Sequence, residues 1–140
     1  MSETTVEAWG NCVQSGACAW PSYEEPDFIK PWTRMGLATW LMSNPVLPIN
    51  YVDHPTSKAF CEWAGKRLPT NEEWTWAHAS ARADQSGNLQ EWTSTPSGDL
   101  VKVGGDDFAR QSGFIPNGGA FPAYTESISI GIRCAADLLR

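Results

Sequence analysis

Proline and glycine recur along this chain at spacings that leave little room for long regular elements. Five prolines (Pro21, Pro26, Pro31, Pro45 and Pro48) fall between residues 19 and 52. Each removes a backbone donor, so that stretch reads as irregular chain, with one short strand near Ile49 to Val52. Eight glycines (Gly87, Gly98, Gly104, Gly105, Gly113, Gly118, Gly119 and Gly131) then divide the chain after residue 84. The runs between them, Glu91 to Thr95, Leu100 to Val103 and Ile128 to Cys134, read as short strands joined by turns. A long irregular stretch in a small domain needs its own packing. Trp20, Tyr23, Phe28, Trp32 and Trp40 supply it, as core or as a platform for a ligand.

Helical spacing appears in three places. Residues 4 to 14 place Val6, Trp9 and Val13 on one face, with Thr4 or Thr5 as cap and Gly16 as stop. Residues 55 to 63 form a second helix, capped by Asp53, with Pro55 in its first turn and Gly65 after its end. Phe60, Trp63 and Ala64 are its expected inward stripe. The third helix carries a capping box. The Thr70 hydroxyl takes an orphan amide at the helix start, and the Glu73 carboxylate reaches back to the Thr70 amide. Trp74 and Ala77 or His78 share its inner face, and His78 reads as a packed or surface residue. Helices first and strands later is an α+β order, and 140 residues make one domain spanning 1–140.

The charge balance narrows the partners. Ten Lys and Arg stand against sixteen Asp and Glu, a net charge of −6. Phosphate backbones need a basic face, so nucleic acid is excluded as a partner. The longest uncharged stretch, Met35 to Val52, is broken by Ser43, Asn44, Pro45, Pro48 and Asn50. It is no membrane span, and no membrane insertion is expected. Residues 1 to 9 are polar and partly acidic, so no signal peptide is visible. Hydrophobic residues at 41% and eight Trp are enough to build a core.

Cys12, Cys18, Cys61 and Cys134 follow no zinc spacing, and only His54 and His78 could join them. One close pair and one distant pair fit two disulfides; four buried thiols are the other reading. Cys12 and Cys18 bracket the exit of the first helix, where a bridge closes a small loop.

Three blocks carry a family resemblance. "FCEWAGKRLPTNEEWTWA" at Phe60 to Ala77, "GNLQEWT" at Gly87 to Thr93 and "GIRCA" at Gly131 to Ala135 occur in the order seen in the formylglycine-generating enzyme (sulfatase-modifying factor) family. The start, "TTVEAWGNCVQSGAC", is similar to that family's first helix with the cysteine pair of many bacterial members. The resemblance implies a C-type-lectin-like fold: two to three helices, a small twisted antiparallel sheet, much irregular chain, and termini close together. It also implies that Cys61 pairs with Cys134. That bridge closes a loop of about 74 residues and is worth about 4 kcal/mol by chain entropy. Two disulfides imply an oxidising setting: extracellular, cell-surface, periplasmic or virion-associated.

The departures from the family matter as much. Active members bind copper through two cysteines just before the closing motif, and Gly105 to Ile130 contains none. Copper(I) requires soft thiolates. A sister branch binds iron through three histidines, whereas the two here do not match those positions. Neither copper nor iron is expected, and no catalytic residues are assigned. The stretch between Ala77 and Asp84 is also short for the family, so much of the usual substrate-cleft wall is missing. Structural calcium is the cofactor the resemblance implies. Its ligands would be the side chains of Asp84 and Glu91 and the carbonyls of Gly87 and Leu89, a set of hard oxygens suited to that ion. The plainer reading makes Asp84 and Glu91 ordinary solvated or capping carboxylates.

The expected function is a non-catalytic ligand-binding or display module. Its face would be the C-terminal segment, about 105–130, with Asp106, Asp107, Phe108, Arg110, Phe114, Asn117, Phe121, Tyr124 and Glu126 as candidate ligand-binding residues. Aromatics, Asn and Gly in this mix suit an adaptable binding surface, although about half of the aromatics are expected to fill core. Variable proteins of diversity-generating retroelements resemble this arrangement, with a mutable segment just before a similar closing motif. The partner would then be a protein or surface ligand. Two alternatives are a reduced oxidase acting on a peptide or small molecule, and a structural module of a surface or phage assembly.

Overall fold

A computed structural model describes residues 3–21, 45–79, 90–105, 119–126 and 130–136. Within them lie three helices, α1 (Val6–Ser15), α2 (His54–Trp63) and α3 (Asn71–Ala79). Four strands accompany them: β1 (Gln90–Ser97), β2 (Leu100–Gly104), β3 (Ala120–Phe121) and β4 (Ile130–Gly131). The fold is α+β and C-type-lectin-like.

The helix ends follow from local chemistry. Thr5 caps α1, its hydroxyl accepting from the Ala8 amide at 3.2 Å. Thr4 serves the tertiary structure instead. Its amide donates to the Ile132 carbonyl, and its carbonyl accepts from Ile49. Asp53 caps α2 by accepting from the Thr56 amide at 3.0 Å. Both helices stop in the same way. Gly16 and Gly65 take left-handed φ of 90° and 76°. The amides of Gly16 and Ala17 close back on Val13 and Cys12, and those of Gly65 and Lys66 on Glu62 and Cys61. This is the Schellman pattern that glycine permits at low cost.

The inward face of α2 differs from the expected stripe. Ser57, Phe60 and Cys61 are buried, whereas Trp63 is 42% exposed and Ala64 is also exposed. Residues 57, 60 and 61 recur at helical spacing, and the Cys61–Cys134 bridge fixes which face turns inward. The helix ends at Trp63, so residue 64 cannot extend that stripe.

The sheet order is β3-β2-β1-β4. β2 pairs antiparallel with both β1 and β3, but β4 runs parallel to β1. The sheet is therefore mixed where an antiparallel one was expected. β4 arrives after a long excursion of chain, so its direction is not set by a hairpin. Pro96 sits in β1 where the register with β2 shifts, a place that tolerates a missing donor. Two further expectations change. Residues 49–52 form no strand; Pro48 makes an isolated bridge to Thr5, and Tyr51 has φ of 60°. β3 is an additional strand, and the closing run contributes two strand residues followed by bridges at Arg133 and Ala135.

One core joins these elements. Val6, Trp9, Ile49, Val52, Phe60, Leu68, Trp92, Val103, Ile130 and Ile132 pack together with three of the cysteines. Trp9 stacks on Phe60 with ring centroids 5.2 Å apart. The buried indoles satisfy their N–H groups: Trp9 on the Ala19 carbonyl, Trp92 on the Val52 carbonyl and Trp74 on the Glu91 carboxylate. Glu3 bridges to Arg133, so the two ends of the described chain meet. Both disulfides are present, Cys12–Cys18 and Cys61–Cys134. Trp20 packs partly against the core. Tyr23, Phe28, Trp32 and Trp40 lie outside the described residues.

Candidate functional site

Of the nine candidate binding residues, Phe121, Tyr124 and Glu126 are described; Asp106, Asp107, Phe108, Arg110, Phe114 and Asn117 lie outside the described residues. The three have different environments. Phe121 is half-buried on β3 and packs against the core. Tyr124 is 79% exposed. Glu126 is half-buried, and its carboxyl is raised above the usual range by burial first and by the nearby Asp53 charge second.

The scaffold fixes this segment at two points. β3 pairs with β2, and the Val103 amide donates to the Gly119 carbonyl. The His54 amide, at the start of α2, donates to the Ala123 carbonyl at 2.8 Å. Between these points a turn closes with the Thr125 amide on the Pro122 carbonyl. Tyr124 therefore projects from a turn whose neighbours are tied to rigid elements.

A cleft of about 570 Å³ adjoins this turn through His54. Lys58 and Glu62 of α2, Arg67, Thr70 and Glu73 around the start of α3, and Ser94 of β1 line it. Sequence reading assigned no role at this site to Lys58, Glu62, Arg67 or Ser94. The capping box at Thr70 was the one legible sign of order here. Its reciprocal bonds form at 3.1 and 2.8 Å. Arg67 adds two 2.6 Å bonds to the Glu73 carboxylate. This contact, above all, holds the Glu73 carboxyl down to about 2. His54 Nε2 lies 3.1 Å from the Thr93 carbonyl, which can only accept, so Nε2 carries the hydrogen. Burial lowers the pKa of His54, which favours the neutral ring. The side chain of His78 is outside the described residues.

Glu91 is the one implied calcium ligand within the described residues; Asp84, Gly87 and Leu89 lie outside them. Glu91 is 2% exposed and Arg133 is 3% exposed. Arg133 Nε donates to Oε1 at 3.0 Å, and Nη2 donates to Oε2 at 3.0 Å. The Trp74 indole donates to Oε1 at 2.7 Å. Burial raises the Glu91 carboxyl, while the guanidinium and the indole oppose that rise. Arg133 Nε also reaches Oε2 at 3.2 Å, so each Glu91 oxygen already accepts from two donors. A calcium ion at Glu91 would compete with these donors and face the Arg133 charge.

All four cysteines are in disulfides, so the chain holds no free thiol. Among the described residues, no three His, Cys, Asp or Glu side chains gather as a metal group. No described helix is long and apolar enough to cross a membrane. Two disulfides are the bonds of a chain matured in an oxidising compartment.

The fold and the bridges define the class: a disulfide-linked, C-type-lectin-like domain. Residues 1–86 match the Sulfatase-modifying factor enzyme 1-like domain, and the chain belongs to that family. It is also similar to "Inactive C-alpha-formylglycine-generating enzyme 2" of Bos taurus, 42% identical over 45 residues, 32% of this chain and 14% of the relative. The protein of the same name from Mus musculus is 41% identical over 46 residues, 33% of this chain and 14% of the relative. The aligned segment thus spans a small part of those relatives.

Proposed function

We propose that this domain is a non-catalytic ligand-binding module that displays the segment 105–130 on a rigid core, in the manner of the variable proteins of diversity-generating retroelements. The observation that carries the reading is Tyr124. It is 79% exposed on a turn anchored through Ala123 to α2 and through β3 to the sheet. An exposed aromatic on a fixed backbone gives contact area at low entropic cost. Two further facts support the absence of catalysis. Every cysteine is paired, so none is left as a thiolate for copper(I). The relatives carry the word "Inactive" in their names. The setting proposed is the cell surface, the periplasm, a virion or the extracellular space, and the partner is a protein or surface ligand.

Calcium is part of the proposal on the family resemblance. It would tie the loop before β1 through the side chains of Asp84 and Glu91 and the carbonyls of Gly87 and Leu89. The Arg133 guanidinium paired with Glu91 makes the expected affinity low.

The test is tolerance to diversity. A library randomised at Asp106, Asp107, Phe108, Arg110, Phe114, Asn117 and Tyr124 is expected to yield mostly soluble, doubly bridged proteins that melt close to the parent. Collapse of most variants would overturn the display reading. Copper uptake with oxidation of a cysteine-containing peptide would overturn the absence of catalysis.

A further inference from the structure

We propose that Cys12–Cys18 is a redox-sensitive latch, opened by a dithiol reductant while Cys61–Cys134 stays closed, and that opening it frees residues 17–20 from the end of α1. This inference is independent of what the domain binds.

The two bridges occupy different surroundings. Cys61 is 0% and Cys134 8% exposed, and the bond joins α2 to the closing segment across 73 residues of sequence. Phe60, beside Cys61, is itself 4% exposed. Cys134 borders a cleft of about 330 Å³ but stays nearly covered, so attack on this bridge is slow until the surrounding core loosens. Cys12–Cys18 spans a sequence separation of only six, from the end of α1 to the chain just beyond it. Cys12 is fully buried in α1, but Cys18 is half-buried and stands outside any helix or strand. Cys18 is therefore the sulfur that an attacking thiolate meets.

The exchange balances simply. A reductant thiolate attacks Cys18 Sγ, the Cys12–Cys18 bond breaks, and Cys12 leaves as a thiolate that takes up a proton. The second thiol of the reductant then attacks the mixed disulfide and releases Cys18. The bridge gains two electrons, and the reductant becomes a disulfide.

Besides the bridge, the latched segment is held by partial packing of Cys18 and Trp20 on the core and by three hydrogen bonds. The Ala17 amide donates to the Cys12 carbonyl at 3.2 Å and to the Ser15 hydroxyl at 3.3 Å. The Trp9 indole donates to the Ala19 carbonyl at 3.0 Å. Trp20 lines a cleft of about 180 Å³ together with Val13 and Pro45. Val6, Trp9 and the Cys12 side chain of α1 all lie in the core, and they are positioned by the helix itself as well as by the bridge. Opening it therefore loosens residues 17–20 and leaves the body of the fold in place.

The experiment is graded reduction of the whole protein with dithiothreitol, alkylation and mass mapping, together with amide hydrogen exchange. Low reductant is expected to label Cys12 and Cys18 alone. Exchange at Ala17, the hydrogen-bonded amide of residues 17–20, should then rise by on the order of tenfold or more, with α2 and α3 unchanged. The double variant Cys12→Ser/Cys18→Ser should show the fast exchange without reductant and no further response to low reductant. Labelling of Cys61 and Cys134 first, or of all four together with loss of helical signal, would overturn the proposal. So would selective reduction that leaves exchange at Ala17 unaltered.

Discussion

Replacing Arg133 with Met removes the charge that faces Glu91 while keeping the volume of the side-chain stem. Both residues are almost fully buried, so water cannot replace the guanidinium. The stranded carboxylate has two options. It can remain charged, at a cost of about 3–5 kcal/mol for a broken buried pair. Alternatively it can take a proton, which from the ordinary value of 4.5 costs about 3.4 kcal/mol at pH 7. The second route caps the loss near 3.5 kcal/mol, plus a smaller amount for the disturbed Trp74 and Glu3 contacts. For a domain of this length that lowers Tm by about 7–14 °C. In the variant, Glu91 has a raised pKa in the folded state and an ordinary one in the unfolded state. The penalty is therefore large at pH 7 and falls as the pH drops toward 4.5, to about 0.7 kcal/mol at pH 5. Urea unfolding of the oxidised protein at the two pH values reads this directly. A second variant, Glu91→Gln/Arg133→Met, should recover part of the loss at pH 7, because no charge is left behind. A loss under about 1 kcal/mol at pH 7, or one equal at both pH values, would refute the reasoning.

Three further outcomes are expected. Glu73 is held at about 2 by Arg67, so its folded pKa is depressed. It stabilises the fold above about pH 4.5, and that contribution disappears as the pH falls toward 2. With the pair about 40% exposed, Glu73→Gln should cost about 1 kcal/mol at pH 7 and only a small fraction of that at pH 2, read by thermal melts across that range. In Gly104→Ala, the new Cβ would fall on the Trp74 indole, with Cε2 and Cε3 at 2.7 and 2.8 Å. Gly104 is held in the sheet opposite Glu91, so a loss of about 1–3 kcal/mol is expected, with altered Trp fluorescence as the local sign. Millimolar calcium should raise Tm over a chelated sample, and Asp84→Ala should abolish that rise; a melt indifferent to calcium removes the ion from the proposal.

Much of this architecture is written locally. Thr5, Gly16, Asp53, Gly65 and the Thr70–Glu73 box mark the helix ends from the sequence alone, because caps and stops depend on neighbours three or four residues away. The two bridges were legible through spacing and the resemblance of the motifs. The cleft was less so. Arg67, Lys58 and Ser94 carry no local pattern, and they meet only because the chain from Pro69 to Asn71 closes onto β1 through the Pro69 carbonyl and the Thr95 hydroxyl. The parallel direction of β4 and the role of Glu91 were likewise set at long range. The family resemblance names Glu91 as a calcium ligand, but nothing local to it announces its pairing with Arg133, 42 residues on. Local hydrogen-bond chemistry determined the elements. Burial, which depends on what the rest of the chain places nearby, decided which side chains became core, ion pair or surface.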